Sequence, residues 1–151
     1  MIGKCLCGEI QFEIEGKLPD LYQCHCSLCR QQGGSASNSA TIIHDSRFSW
    51  KSGEDKICYY KKETGFSSNF CSSCGSTIPN RLRDTDKFWI PAGLLEEDQG
   101  QQIVAHIYIS PRRRAGIRFL SQDSILMKCQ ISKPSSLYCN ASAQYIFKQM
   151  I

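Results

Sequence analysis

No stretch of this chain approaches the roughly 18 consecutive apolar residues that a membrane-crossing helix needs, so no transmembrane span and no membrane partner are expected. Nor does its start, Met1-Ile2-Gly3-Lys4-Cys5, open an apolar segment of the signal-peptide kind. The expectation that follows is a cytoplasmic, reducing location in which cysteines stay thiols. No self-similarity at a period of roughly 20 to 50 residues is visible, which argues against a solenoid or a propeller. Acidic residues are scarce at one end. Residues 111–151 carry one acid, Asp123, against seven Lys and Arg, whereas residues 1–110 carry 13 acids against 11 bases. The 151 residues therefore divide into one ordinary domain, 1–110, and a basic C-terminal extension, 111–151, opened by Arg112-Arg113-Arg114.

Cysteine is what the chain has in excess. Ten among 151 residues is high for a thiol protein yet short of the roughly 8 to 10% of a disulfide scaffold, and metal binding is the natural alternative.

The local patterns are those of strands. Ile10, Phe12 and Ile14 alternate with polar neighbours before Gly16, a half-buried strand read at period two. Ile57-Cys58-Tyr59-Tyr60, Phe88-Trp89-Ile90 and the run from Ile103 to Ile109 are strand-length and rich in β-branched and aromatic residues. Turn clusters between them leave little room for long helices, although single helical turns are expected around Leu28–Gln32 and Leu94–Asp98. The reading is mostly β. Past Pro111 no period is discernible.

Seven cysteines fall into three groups: Cys5-Leu6-Cys7, Cys24-His25-Cys26-Ser27-Leu28-Cys29 and Cys71-Ser72-Ser73-Cys74-Gly75. A Cys-x-x-Cys pair followed by glycine has the shape of a zinc knuckle, in which a tight turn brings two thiolates onto one ion. A structural zinc takes four ligands, and seven divides into four plus three. The favoured division joins Cys5 and Cys7 to Cys71 and Cys74 as a closed structural site. Cys24, Cys26 and Cys29 then form a second site with one open position, as catalytic zinc has. Two zinc ions per chain are expected. A second site that is also structural, closed by His25 or a distant residue, stays open as an alternative, as does a role for His25 in proton transfer. Cys58 reads as a small buried strand residue, and His44 and His106 as strand or loop histidines.

At these residues the chain resembles a known family, the glutathione-dependent formaldehyde-activating enzymes, whose domain is shared with centromere protein V. The resemblance runs through Gly3-Lys4-Cys5-Leu6-Cys7-Gly8-Glu9-Ile10-Gln11-Phe12, Cys24-His25-Cys26-Ser27-Leu28-Cys29-Arg30, Phe48 with Gly53, Phe70-Cys71-Ser72-Ser73-Cys74-Gly75-Ser76, and His106-Ile107. It implies an all-β, zinc-binding tent of packed antiparallel sheets with short helical turns. It also implies a structural zinc on Cys5, Cys7, Cys71 and Cys74 and a catalytic-site zinc on Cys24, Cys26 and Cys29. The likeness ends near Ser110, where the basic extension begins.

The implied activity is that of a carbon–sulfur lyase, adding the glutathione thiol, or another small thiol, to formaldehyde or a related small aldehyde to give S-(hydroxymethyl)glutathione, and the reverse. Three cysteinates around a dication make it a poor Lewis acid, which favours activating sulfur over polarising an aldehyde oxygen. A coordinated thiol is deprotonated, so zinc suits that task. Glutathione carries two carboxylates, and the sequence offers Arg30 beside the trio as their cation, with Gly33 and Gly34 allowing close backbone approach. The rival reading is a non-catalytic zinc-binding module whose basic tail binds nucleic acid or an acidic partner. Against nucleic acid stands the lack of a base-stacking array or a recognition-helix signature.

Overall fold

A computed structural model describes residues 1–83, 85–97 and 99–109; the basic extension, with Cys129 and Cys139, lies outside the described residues. Eleven short strands, one α-helix and three single turns of 3-10 helix make up the regular structure of those residues, the strands and the α-helix being β1 (Ile2–Lys4), β2 (Gln11–Ile14), β3 (Leu21–Cys24), α1 (Ser27–Gly33), β4 (Asn38–His44), β5 (Phe48–Ser52), β6 (Ile57–Lys61), β7 (Ser67–Cys71), β8 (Thr77–Ile78), β9 (Asn80–Arg81), β10 (Lys87–Pro91) and β11 (Ile103–Ile107). They form three sheets, with strand orders β1-β2-β5, β11-β3-β4-β10-β9 and β6-β7-β8. The fold is all-β, and its strands pair antiparallel except β11 against β3, which run parallel.

The period-two pattern around Phe12 is β2, whose Phe12 and Ile14 are fully buried. Phe88-Trp89-Ile90 is apolar throughout because β10 lies inside the five-stranded sheet and is buried on both faces. Phe88 and Ile90 face the first sheet and pack with Phe12, Ile14 and Ile43. Trp89 faces the other way and packs with Tyr22, Cys24, Ala40, Ala105 and Ile107. The rings of Phe12, Phe48 and Phe88 stack in sequence, with centroids 5.6 and 4.2 Å apart. Opposite Phe12 in the register stands Gly3, where a Cβ would lie 2.2 Å from the phenyl ring. Glycine at this strand position is the room the ring occupies.

A third, smaller core joins the first sheet to the third through Ile10, Ile78, Cys5 and Cys71. Two local expectations shift. The second helical turn falls at Ala92–Leu94, ahead of Leu94–Asp98, because Pro91 sets up the turn at the end of β10. Cys58 is half-buried rather than buried, since β6 is an edge strand with Tyr59 and Tyr60 exposed beside it. No helix among the described residues is long and apolar enough to cross a membrane.

Candidate metal centres

Two hairpin-like knuckles assemble the first thiol set. After β1, the Cys5 carbonyl accepts from Gly8 N–H at 3.0 Å, and Gly8 takes φ 80°, a conformation that costs glycine little. The Ile10 N–H points at Cys5 Sγ, 3.4 Å away. After β7 the pattern repeats, with Gly75 N–H donating to the Cys71 carbonyl at 2.9 Å and Gly75 at φ 73°. The knuckles face one another, so that the sulfurs of Cys5, Cys7, Cys71 and Cys74 all lie within 4.8 Å. Cys5 to Cys7 is 3.4 Å and Cys7 to Cys71 is 3.8 Å. Sulfurs about 2.3 Å from a common centre in a tetrahedron are separated by distances of this size. Ser76 closes the group, with its hydroxyl 3.3 Å from Cys74 Sγ and accepting from Leu6 N–H. Its hydroxyl and backbone N–H pull the Cys74 thiol down to about 5.

The second set is built where β3 runs into α1. Cys24 is the last residue of β3 and is buried; the parallel pairing continues for one more residue as His25 N–H donates to the Ile107 carbonyl at 2.9 Å. Cys26 caps α1, its sulfur accepting from Cys29 N–H at 3.3 Å, and Cys29 stands one turn into the helix. The three sulfurs lie within 4.8 Å of one another. Hydrogen bonds from the Cys24 and Cys29 thiols, with the backbone N–H groups of Cys29 and Leu28, draw Cys26 down to about 2. The reciprocal bonds push Cys24 up to about 11 and hold Cys29 far above its ordinary value. Three sulfurs held this close, with the Cys26 thiol drawn down by its neighbours, make a donor set of the kind a dication binds by displacing thiol protons. Both thiol sets fit a metal ion by donor chemistry.

The two sets differ in what surrounds them. The four-thiol set is complete in itself. The trio forms part of the wall of a cavity of about 360 Å³, whose lining also includes Tyr22, Gln32, Phe66, Leu82, Arg83, Trp89 and Tyr108. That size suits a small molecule far larger than a one-carbon aldehyde. Tyr22 is buried, and its phenol is held well above its ordinary value by burial and by the neighbouring Cys29 and Cys24 sulfurs, so it stays a hydrogen-bond donor.

Arg30, Gly33 and Gly34 do not line this cavity. The half-buried Arg30 turns its Nε–H to the His25 carbonyl at 3.2 Å. Gly34, at φ 59°, caps the C-terminus of α1 and donates its N–H to the Arg30 carbonyl, a turn role that accounts for a glycine there. His25 Nε2 lies 3.1 Å from His106 Nδ1. His25 is held below the ordinary imidazole value by burial and by its neighbour, His106 by burial alone. His44, at the end of β4, is engaged by Asp86 at 2.8 Å. Tyr22, Arg83, Trp89 and Tyr108 are among the cavity residues that cysteine spacing did not point to. Trp89 offered a faint signal, an indole amid the all-apolar run of β10, and the others offered none.

The described residues thus form an all-β fold that carries one four-thiol set and one three-thiol set opening on a cavity, each of which could hold a metal ion. Residues 1–111 match the sequence model of the glutathione-dependent formaldehyde-activating enzyme, and the chain belongs to that family. Among solved structures it is similar to a Rhodobacter sphaeroides protein, at 24% identity and a TM-score of 0.54 over 74% of this chain and 93% of the other, a likeness of fold. No curated protein matches the chain.

Proposed function

We propose that this protein is a zinc-dependent carbon–sulfur lyase that adds the thiol of glutathione to formaldehyde and reverses the addition. The observation that carries the reading is the contrast between the two thiol sets: Cys5, Cys7, Cys71 and Cys74 group as four, while among the described residues Cys24, Cys26 and Cys29 group as three on a cavity wall. In this reading the first set holds a structural zinc whose binding free energy, on the order of 10 kcal/mol in zinc-finger peptides, adds to folding. Cys24, Cys26 and Cys29 would hold the catalytic-site zinc, which would supply the positive charge that lowers the pKa of a substrate sulfur.

The chain's own residues do the rest. Leu82, Phe66 and Trp89 give the cavity beside the trio apolar walls, which lower the local polarity around a bound sulfur. In the addition, the thiol S–H bond breaks, a sulfur–carbon bond forms, and the carbonyl π pair moves onto oxygen, which takes up a proton to become the hydroxyl. The phenol of Tyr22 offers a hydrogen bond to that oxygen as it gains charge. The protein acts in the cytoplasm, where glutathione is reduced.

Because the addition also proceeds without a catalyst, the test is exchange NMR of formaldehyde hydrate with S-(hydroxymethyl)glutathione. The interconversion rate is expected to rise in proportion to protein and to fall to the uncatalysed rate with Cys26→Ser. Equal rates with and without the native protein would overturn the reading.

A further inference from the structure

The trio's cavity does not end at the trio. A second cavity of about 430 Å³ lies on the β6–β7 hairpin and the β9–β10 turn, and Thr64, Gly65, Ser67, Asn80 and Arg83 line both. The two spaces are therefore neighbours across a common wall, with Arg83 on it. Beyond that wall the lining adds Lys61 and Arg81. No Asp or Glu lines either space among the described residues. Arg81 is already committed, at 2.7 Å from Asp45 Oδ2, with its guanidinium over the Phe88 ring. Lys61 and Arg83 have no ion-pair partner among the described residues.

The backbone singles out the same place. Among the described residues two non-glycine residues take positive φ, Arg83 at 46° and Tyr108 at 56°, and both line the trio's cavity. Side chains in this region carry a conformational cost that a fold sustains where surrounding structure over-determines it, and such positions gather at ligand sites. Here the strain falls on the one cation shared by the two spaces.

We infer that the two cavities form one binding groove for an anionic thiol, with sulfur at the Cys24–Cys26–Cys29 end and carboxylate held by Arg83 and Lys61 at the other. The inference rests on the lyase reading for the sulfur end and stands on its own observations for the cationic end. The ligand class is a thiol bearing a carboxylate several bonds from sulfur. A guanidinium pairs with a carboxylate through parallel N–H donors, and among the described residues no Asp or Glu lines either space. The groove also gives a reason for a cavity far larger than an aldehyde needs.

Calorimetric titration of the zinc-loaded full chain separates the two ends. The probes are glutathione, its diethyl ester, which keeps the thiol and masks both carboxylates, and S-methylglutathione, which keeps the carboxylates and has no thiol. Arg83→Asn relieves the positive φ while removing the charge, and Lys61→Gln removes the second cation. The double variant is expected to keep the native zinc content and circular dichroism, and to bind glutathione and S-methylglutathione about 10- to 100-fold more weakly than the native chain. Its affinity for the diester should change less than about twofold. Unchanged affinity for glutathione and S-methylglutathione would overturn the groove while leaving the lyase reading intact. Loss of affinity for S-methylglutathione in the double variant, with the native chain blind to the thiol, would uphold the groove and overturn the lyase reading. A native chain that binds none of the three probes would overturn both.

Discussion

His25 Nε2 and His106 Nδ1 lie 3.1 Å apart, where the parallel strands β3 and β11 deliver two imidazoles to the same side. One nitrogen must donate and the other accept, so the pair shares a proton while both rings stay neutral. The contact ties the Cys24–Cys26 segment to the last described strand. Removing either ring takes this hydrogen bond from the other. His25→Leu and His106→Leu are each expected to cost about 1 to 2 kcal/mol, and the double variant less than their sum. Urea unfolding of the zinc-loaded chains measures the cycle; strict additivity would mean that the two rings do not interact.

Gly53 bears the geometric load of a glycine turn. It sits at φ 74°, and a Cβ there would lie 2.4 Å from the carbonyl oxygen of Glu9, a backbone atom with little freedom to retreat. Gly53→Ala is expected to destabilise the fold by about 2 to 4 kcal/mol, combining the left-handed penalty with the clash. Gly8→Ala, with open space around its Cβ, should cost only the conformational part. Thermal melts of the two variants decide the order, and equal losses would mean that the Glu9 contact is not felt.

The phenol of Tyr22 is buried beside the trio and kept protonated by burial and by the cysteine sulfurs. Tyr22→Phe keeps the ring that packs against Trp89 and Ala40 and deletes the hydroxyl, both as a donor toward the cavity and as the acceptor of the Trp89 indole N–H. Stability should change by no more than about 1 kcal/mol, while the catalysed interconversion falls about tenfold or more with glutathione affinity unchanged. A fall in affinity with an unchanged maximal rate would place the hydroxyl on the substrate rather than on the reacting oxygen.

How much of this was legible in the chain depended on how local the signal was. The strands of Phe12, Cys58, Trp89 and Ile107 announce themselves by alternation or by unbroken apolar runs, and each is found. β4 does not, since Asn38-Ser39-Ala40-Thr41 reads as a polar linker, yet it forms the middle of the five-stranded sheet and buries Thr41 under hydrogen bonds to the carbonyls of Pro19 and Asp20. Its place is set by tertiary pairing with β10 and β3, which no local window contains. The thiol sets were legible because four and three are arithmetic of ligand number, and sequence gaps of 64 residues do not obscure it. The cation of the cavity was not. Proximity in sequence favours Arg30, whereas the fold brings Arg83 from the β9–β10 turn to the trio's cavity and turns Arg30 to a backbone carbonyl.

The measurement that bears most directly on the account is zinc per chain in the native protein and in the Cys24→Ser, Cys26→Ser, Cys29→Ser triple variant, each reduced, with and without glutathione. The account predicts two zincs in the native chain, one in the variant with the fold retained, and a response of zinc release to glutathione in the native chain alone. One zinc in both chains, with release indifferent to glutathione, would contradict it.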